Sequence, residues 1–468
     1  MTIKEQHFFE DEKSKSRTYS DMTPPGFNTF RLLESSLGTP RPTKIKLIGS
    51  AHGRIKKVLL AIPDYATVIK ANEPTDGSAL KSLMESLGQS VKFIIFTHEK
   101  VRNVVNQWLS EFNHTDFEIV TAENDLNFLI WAEDAYVTGV SGENGKTYLL
   151  EPISFHRYGD AVIADYISKA TELESFQTPA YFQGGNVLVG DDFYLIGLDY
   201  AVKTAFGGII DTNANEYNFI DKARVVFKTY LDGYKDLIFP YHSLKPAPKK
   251  SYELVKIGEE YFLEIKGEGF GTYQPIFHID MFISLLGRNT LNNKYKLMVG
   301  DPSLAIDLIN DQHILPNSSY ALIGQFNQVA EFLESEGFEI YRNPMPYVYI
   351  DKTGKNAYKK KNISENLPND EAKKILDQMA ILGLKQINVR KWYFATSNNN
   401  LTEITTEGNK VFLPTYGHGV WKELKVIDEE NEKLWKKHDF EVKFLDDFHS
   451  LASKSGAAHC ISKYIERD

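Results

Sequence analysis

The sequence of 468 residues predicts an α/β fold, and three observations carry that reading. Short apolar runs of roughly four to eight residues recur along the chain, bounded by turn residues, as buried strands are. Stretches with apolar residues at helical spacing lie between them. Strands in twos and threes that alternate with single helices place those helices over the sheets.

Taken in order, Met1 to Pro25 is polar with no apolar signal core, and Phe27 to Ser50 is punctuated by Pro and Gly. Residues 1–50 are therefore expected to be a flexible leader and approach segment, and the protein to be cytoplasmic. Length leaves the domain count of residues 51–468 open, and no linker there is long enough to force a cut. Strands are expected at Lys57–Ile62, Lys92–Phe96, Phe117–Val120, Tyr148–Pro152, Asn186–Val189 and Phe193–Ile196. Further strands are expected at Lys296–Val299, Tyr320–Ile323, Phe338–Tyr341, Tyr347–Ile350, Lys410–Leu413 and Phe440–Phe444. Helical spacing covers Val101–Phe112, Asp160–Leu173, Asn327–Glu336, Asn369–Leu384 and Glu429–His438. Asn356 to Asn369, with Lys359, Lys360 and Lys361, reads as a solvated loop.

Composition narrows the function. The formal charge of −10 argues against a nucleic-acid or anionic-membrane partner and suits a cationic ligand. No stretch approaches the ~20 apolar residues of a membrane span. A single cysteine excludes an intrachain disulfide framework and any multi-cysteine zinc site. Gly145-Lys146-Thr147 resembles the end of a phosphate loop, but Val140 stands where the earlier glycine belongs, so a hairpin turn is expected.

Four segments carry side chains suited to chemistry. Trp131-Ala132-Glu133-Asp134 places an acid beyond the apolar run Phe128–Ile130, expected to be a strand end. Gln183-Gly184-Gly185-Asn186 puts two glycines where backbone must turn or approach something closely. His278-Ile279-Asp280 would point both polar side chains to one face of a strand. Gly456-Ala457-Ala458-His459-Cys460 holds the lone thiol. Singly, each has a plain alternative: a helix cap at Asp134, a turn at Gly184-Gly185, an edge-strand pair at His278 and Asp280, a small packed hydrophobe at Cys460. The Asn398–Asn400 run and His418 read as loop turns. Jointly, the four segments supply a nucleophile, an acid/base and two carboxylates, the parts for attack on a cationic carbon.

In this order the segments resemble the guanidine-modifying enzymes: agmatine, arginine and peptidylarginine deiminases and amidinotransferases. Phe155–Gly159, Asn343–Pro346, Ser397–Asn400 and Val411–Pro414 add supporting patches, and residues 1 to about 55 lie outside the resemblance. It implies a pentein fold, a five-bladed α/β propeller of strand–helix modules with pseudo-fivefold symmetry, as one catalytic domain. It implies Cys460 as nucleophile and His278 as general acid/base, with Asp134 and Asp280 clamping the guanidinium. Trp131, Gly185 and Asn186 would line the substrate site. Two positions depart from the arginine and agmatine deiminases: Glu133 replaces their Arg, and Gln183 replaces their Glu. In both respects the chain looks more like peptidylarginine deiminases. The implied reaction is hydrolysis of a guanidino group, of protein arginine or an arginine derivative, to a ureido group with release of ammonia. Amidino transfer to an amine would use the same site, and a non-catalytic guanidinium-binding protein would share the fold. No metal or cofactor is implied, although the vertebrate relatives depend on calcium.

Overall fold

The computed structural model describes residues 41–71, 73–206, 216–240, 250–267, 274–309 and 318–468. The expected leader over residues 1–40 lies outside them. The approach segment is part of the folded body from residue 41, because Ile45–Leu47 pairs antiparallel with Val137–Ser141.

One ββαβ unit recurs five times. Its first two strands pair antiparallel, and its second and third pair parallel across a helical crossover. In one unit, Val137–Ser141, Thr147–Glu151 and Glu174–Gln177 follow this pattern around the helix Ile163–Ala170. The next uses Val187–Val189, Phe193–Ile196 and Asp236–Ile238. Then come Ile283–Arg288, Tyr295–Asp301 and Glu339–Pro344, and after them Leu401–Thr405, Gly408–Thr415 and Phe440–Asp447. The remaining unit joins both ends of the chain. Its first strand is C-terminal, Ser462–Arg467, laid antiparallel on Ile55–Ile62, which pairs parallel with Lys92–His98. Parallel pairing needs a long crossover, which the helices supply. The buried strands are rich in Val, Ile, Leu and Phe on both faces, as sheets covered by helices must be.

Arg467 locks the closure. Its guanidinium donates to the carbonyls of Ala51 (3.0 Å) and Gly53 (2.9 Å) in the first unit and of Thr402 (2.8 Å) in the last. A separate sheet, Ser251–Ile257, Glu260–Lys266, Gln386–Phe394 and Tyr347–Lys352, stands outside the fivefold pattern.

Several elements differ from expectation. Tyr320–Ile323 is helical, within Ser318–Ala321 and Ile323–Ser335, since a short buried apolar run has no period to separate helix from strand. Asn356–Asn369 is no loop: Tyr358–Lys359 pairs with the separate sheet, and the helix Lys360–Asn366 buries Ile363 beneath its lysines. Phe128–Ile130 forms no strand. His278–Asp280 enters a 3₁₀ turn, Ile279–Met281, rather than a strand. Gly145 sits at φ 71° in the expected hairpin turn. No helix among the described residues is long and apolar enough to cross a membrane.

Candidate active site

Each unit's first strand is entered by a short irregular lead-in. These are Trp131–Asp134, Gln183–Asn186, His278–Asp280, Ser397–Asn400 and Ala457–Cys460. Hydrogen bonds join the five into a closed ring. The Glu133 N–H donates to the Cys460 carbonyl (3.2 Å), and the Gly184 N–H to the Asp134 carbonyl (2.9 Å). The Ile279 N–H donates to Asn186 Oδ1 (3.1 Å), and Thr396 Oγ1, just before the fourth lead-in, donates to the carbonyl of Met281, just after the third (2.6 Å). The Ala458 N–H, donating to the Asn399 carbonyl (3.1 Å), completes the circuit. Residues more than 300 positions apart thereby meet at one centre, and each of the four sequence segments arrives there on a different unit.

At that centre Cys460, His278, Asp134 and Asp280 are all buried. One atom each of His278, Asp280 and Cys460 lies within 4.8 Å of the others. That spread would suit a cation, but Cys460 Sγ is bonded by Asn399 and Asp280 Oδ2 by His459, so no metal role is assigned.

The Cys460 thiol donates to Asp280 Oδ2 at 3.5 Å and accepts from Asn399 Nδ2 at 3.1 Å. Burial, then the charges of Asp280 and Asp134, push its pKa well above that of an ordinary thiol. The resting group is therefore a thiol. Burial, followed by the charges of Arg157 and His459, pulls His278 well below the ordinary histidine range, so its resting ring is neutral. Gln183 turns its amide nitrogen toward His156 Nδ1 (3.4 Å) and its oxygen toward His278 Nε2 (2.7 Å). A carbonyl oxygen only accepts, so Nε2 carries the proton and Nδ1 keeps its lone pair, 3.8 Å from Asp134 Oδ1.

The two carboxylates are held differently. Asp134 Oδ2 accepts from Arg157 (2.8 Å), whose Nε meets Asp160 Oδ2 at 2.6 Å, all of it buried. Burial raises the Asp134 pKa to about 7, with Arg157 pulling the other way. Asp280 Oδ2 accepts from His459 Nδ1 at 2.9 Å, while its Oδ1 has no hydrogen-bond partner. A buried carboxylate oxygen without a donor is costly, and a ligand with N–H groups would satisfy it. Burial lowers the His459 pKa, but Glu133 and Asp280 more than offset this and hold it above the usual value. Glu133 itself pairs with Lys463 Nζ at 2.7 Å. Glu133 is thus part of a buried charge network behind His459.

Gly185 makes room for the imidazole. A Cβ there would lie 2.6 Å from His278 Nδ1 and 3.1 Å from Asp280 Oδ2. Gly185→Ala should displace both side chains and, under the reading proposed below, lower kcat about 100-fold, while the protein still melts cooperatively. Steady-state kinetics beside a thermal melt check this, and unchanged kcat would remove Gly185 from the site. Trp131 and Asn186, expected to line the substrate site, stand on two of these lead-ins. The Trp131 ring packs on Gly456, where a Cβ would come within 2.3 Å of it. Asn186 spends Oδ1 on the Ile279 N–H and Gln274 Nε2, holding the turn that presents His278.

No family model matches the chain, and no curated protein matches it. Solved structures do. An agmatine deiminase of Enterococcus faecalis aligns at TM-score 0.56 and 12% identity, over 92% of this chain and 98% of that one. A candidate peptidyl-arginine deiminase aligns at 0.54 and 13%, over 91% and 100%. A substrate-bound agmatine deiminase variant of C. jejuni aligns at 0.50 and 13%, over 90% and 97%. This is a pentein fold. The five ββαβ units are the pentein modules, and the ring of lead-ins is the pentein centre.

Two residues at that centre were not singled out from the sequence. Asn399 bonds the thiol directly, although the Asn398–Asn400 run read as a turn. Arg157 pairs with Asp134, although Phe155–Gly159 was only a supporting patch. His418 lies elsewhere, bonded to Thr415 Oγ1 at 2.7 Å.

Proposed function

We propose that this chain is a thiol-dependent hydrolase that converts a guanidino group to a ureido group and releases ammonia. The observation that supports it is the meeting of Cys460, His278, Asp280 and Asp134 at one buried centre, from three different lead-ins, one of them the C-terminal turn. The substrate would be protein arginine or a small arginine derivative.

A guanidinium carbon is a poor electrophile, because its charge is spread over three nitrogens. Carboxylate oxygens can accept its N–H groups and hold its plane toward sulfur. Asp280 Oδ1 is free to do so, and Asp134 Oδ1 lies 3.8 Å from His278 Nδ1. The bound cation favours the thiolate. The thiol proton, directed at rest toward Asp280 Oδ2, passes to His278 Nδ1 when the guanidinium binds the carboxylates. The thiolate adds to the central carbon, and the C–N bond to the leaving amine breaks. His278 returns the proton to that nitrogen, which departs as ammonia. Water then gives a proton to His278 while its oxygen bonds to the carbon. The C–S bond breaks, the sulfur regains a proton from the new hydroxyl, and the ureido product leaves. His278 releases its proton to ammonia or solvent. The cycle calls on no metal or cofactor.

Arg157 favours a second reading. Its guanidinium already occupies one oxygen of Asp134, as a ligand's would. A protein that only binds guanidino compounds could tolerate that and would need no reactive thiol. Ammonia release from arginine peptides, free arginine and agmatine, in buffer with chelator, separates the readings. Covalent labelling of Cys460 by a haloacetamidine joins the test. Ammonia and labelling support the hydrolase; neither, with binding retained, supports the binder. A new guanidine formed from an added amine would instead mean amidino transfer.

Gln183→Glu tests the acid/base assignment. A carboxylate 2.7 Å from Nε2 would stabilise the imidazolium, so the His278 pKa should rise by at least about one unit. Histidine ring signals in an NMR titration report it, and an unmoved His278 would mean that the Gln183 contact does not govern the ring.

A further inference from the structure

We propose that Asn399 is a further residue of the thiol machinery, the donor that holds and stabilises the Cys460 sulfur; this rests on the hydrolase reading above. Its side chain makes three bonds to the C-terminal turn. Oδ1 accepts from the N–H groups of Ala457 (2.9 Å) and Cys460 (3.1 Å), and Nδ2 donates to Sγ (3.1 Å). Two backbone N–H groups can only donate, so the atom they share is the oxygen and the one facing sulfur is the NH₂. The backbone carbonyl of Asn399 meanwhile accepts from Ala458 (3.1 Å) and His459 (3.4 Å). One residue thus grips four successive positions that end in the nucleophile.

The arrangement fixes the direction of the thiol proton. Sulfur accepts from Asn399 on one side, so its S–H points to Asp280 on the other. When the proton leaves, the amide donor already faces the new negative charge and needs no reorganisation. The titratable and charged groups around the sulfur are Asp280 and His278 from the third lead-in, and Asp134 from the first with Arg157 behind it. His459 on its own turn and Tyr416 beyond complete the set. Two of these are carboxylates that oppose the thiolate. Asn399 is the side chain bonded to the sulfur that favours it.

The test uses the lone cysteine, so alkylation reports one atom. Iodoacetamide modification is followed against pH in the wild type, Asn399→Ala and Asn399→Asp, with circular dichroism to confirm folding. Asn399→Asp keeps the acceptor for the two N–H groups and replaces the donor with a negative oxygen. The proposal expects alkylation at pH 8 to slow about tenfold or more in Asn399→Asp and less in Asn399→Ala, with the pH profile moved to alkaline values. It also expects kcat to fall by about tenfold or more with KM within about twofold. A merely structural role predicts the reverse, because a loosened turn exposes the thiol and speeds alkylation in both variants. Equal or faster alkylation in folded Asn399→Asp overturns the proposal. So does failure of both variants to fold, since that makes Asn399 a folding residue. The alkylation assay uses no substrate. A wild type that releases no ammonia would defeat the hydrolase reading while the thiol result stands on its own.

Discussion

Cys460→Ala should reduce ammonia release by at least about 10⁴-fold and leave the fold intact. The thiol makes two side-chain hydrogen bonds, to Asn399 and Asp280, and the turn's other bonds, from its N–H groups to the side-chain oxygen and carbonyl of Asn399 and from His459 to Asp280, use atoms that the substitution does not remove. Loss of one sulfur from a buried site costs about 1 kcal/mol of stability, a shift of a few degrees in a melt. Under the proposed mechanism, loss of the thiol removes the covalent path altogether. The lone cysteine sharpens the readout: the wild type should take up one equivalent of haloacetamidine and Cys460→Ala none. Ammonia release that survives in Cys460→Ala would end the covalent mechanism, whatever the labelling shows.

The parts of this site legible in sequence are those whose chemistry is carried by residue type. Asp134, the His278/Asp280 pair and Cys460 could be read because acids, a histidine and a thiol in that order match one reaction. Gly185 could be read as a close approach, although not to what; the His278 ring is the answer. Asn399 could not, because a Ser-Asn-Asn-Asn run suits turns equally well, and its bond to sulfur joins residues 61 positions apart. The fivefold repeat was hidden for a related reason. Strands as short as Val187–Val189 carry too few residues to show a period, and the units share topology rather than sequence. The separate sheet was missed where the hairpin Ser251–Lys266 mixes lysine and glutamate into its alternation. His459 illustrates the limit best. It adjoins the nucleophile in sequence, yet its proton partner is Asp280, 179 positions away.

Arg157→Gln should be among the most damaging substitutions, and in two separable ways. Arg157 stands buried between Asp134 and Asp160, so its loss leaves two buried carboxylates without their cation. Breaking such a pair from one side costs about 3–5 kcal/mol, visible as a lower melting midpoint or denaturant midpoint. The second effect concerns catalysis. Asp134 has a pKa of about 7 because burial outweighs Arg157, which pulls it down by both its charge and its hydrogen bond, while Asp160 and Asp280 push it up. In the wild type, clamping of a cation by Asp134 should then switch on as pH rises through about 7. Without Arg157 the carboxylate holds its proton to higher pH, so the acid limb of kcat/KM should move up by at least about one unit. The same substitution frees Asp134 Oδ2, which the guanidinium of a substrate could then occupy. An Arg157→Gln enzyme that gains activity at neutral pH would show that Arg157 competes for the clamp. A loss restored only at alkaline pH would show that it keeps Asp134 charged. The pH profile of Arg157→Gln therefore decides whether this arginine is a stand-in for substrate or the counter-charge that makes a buried carboxylate usable.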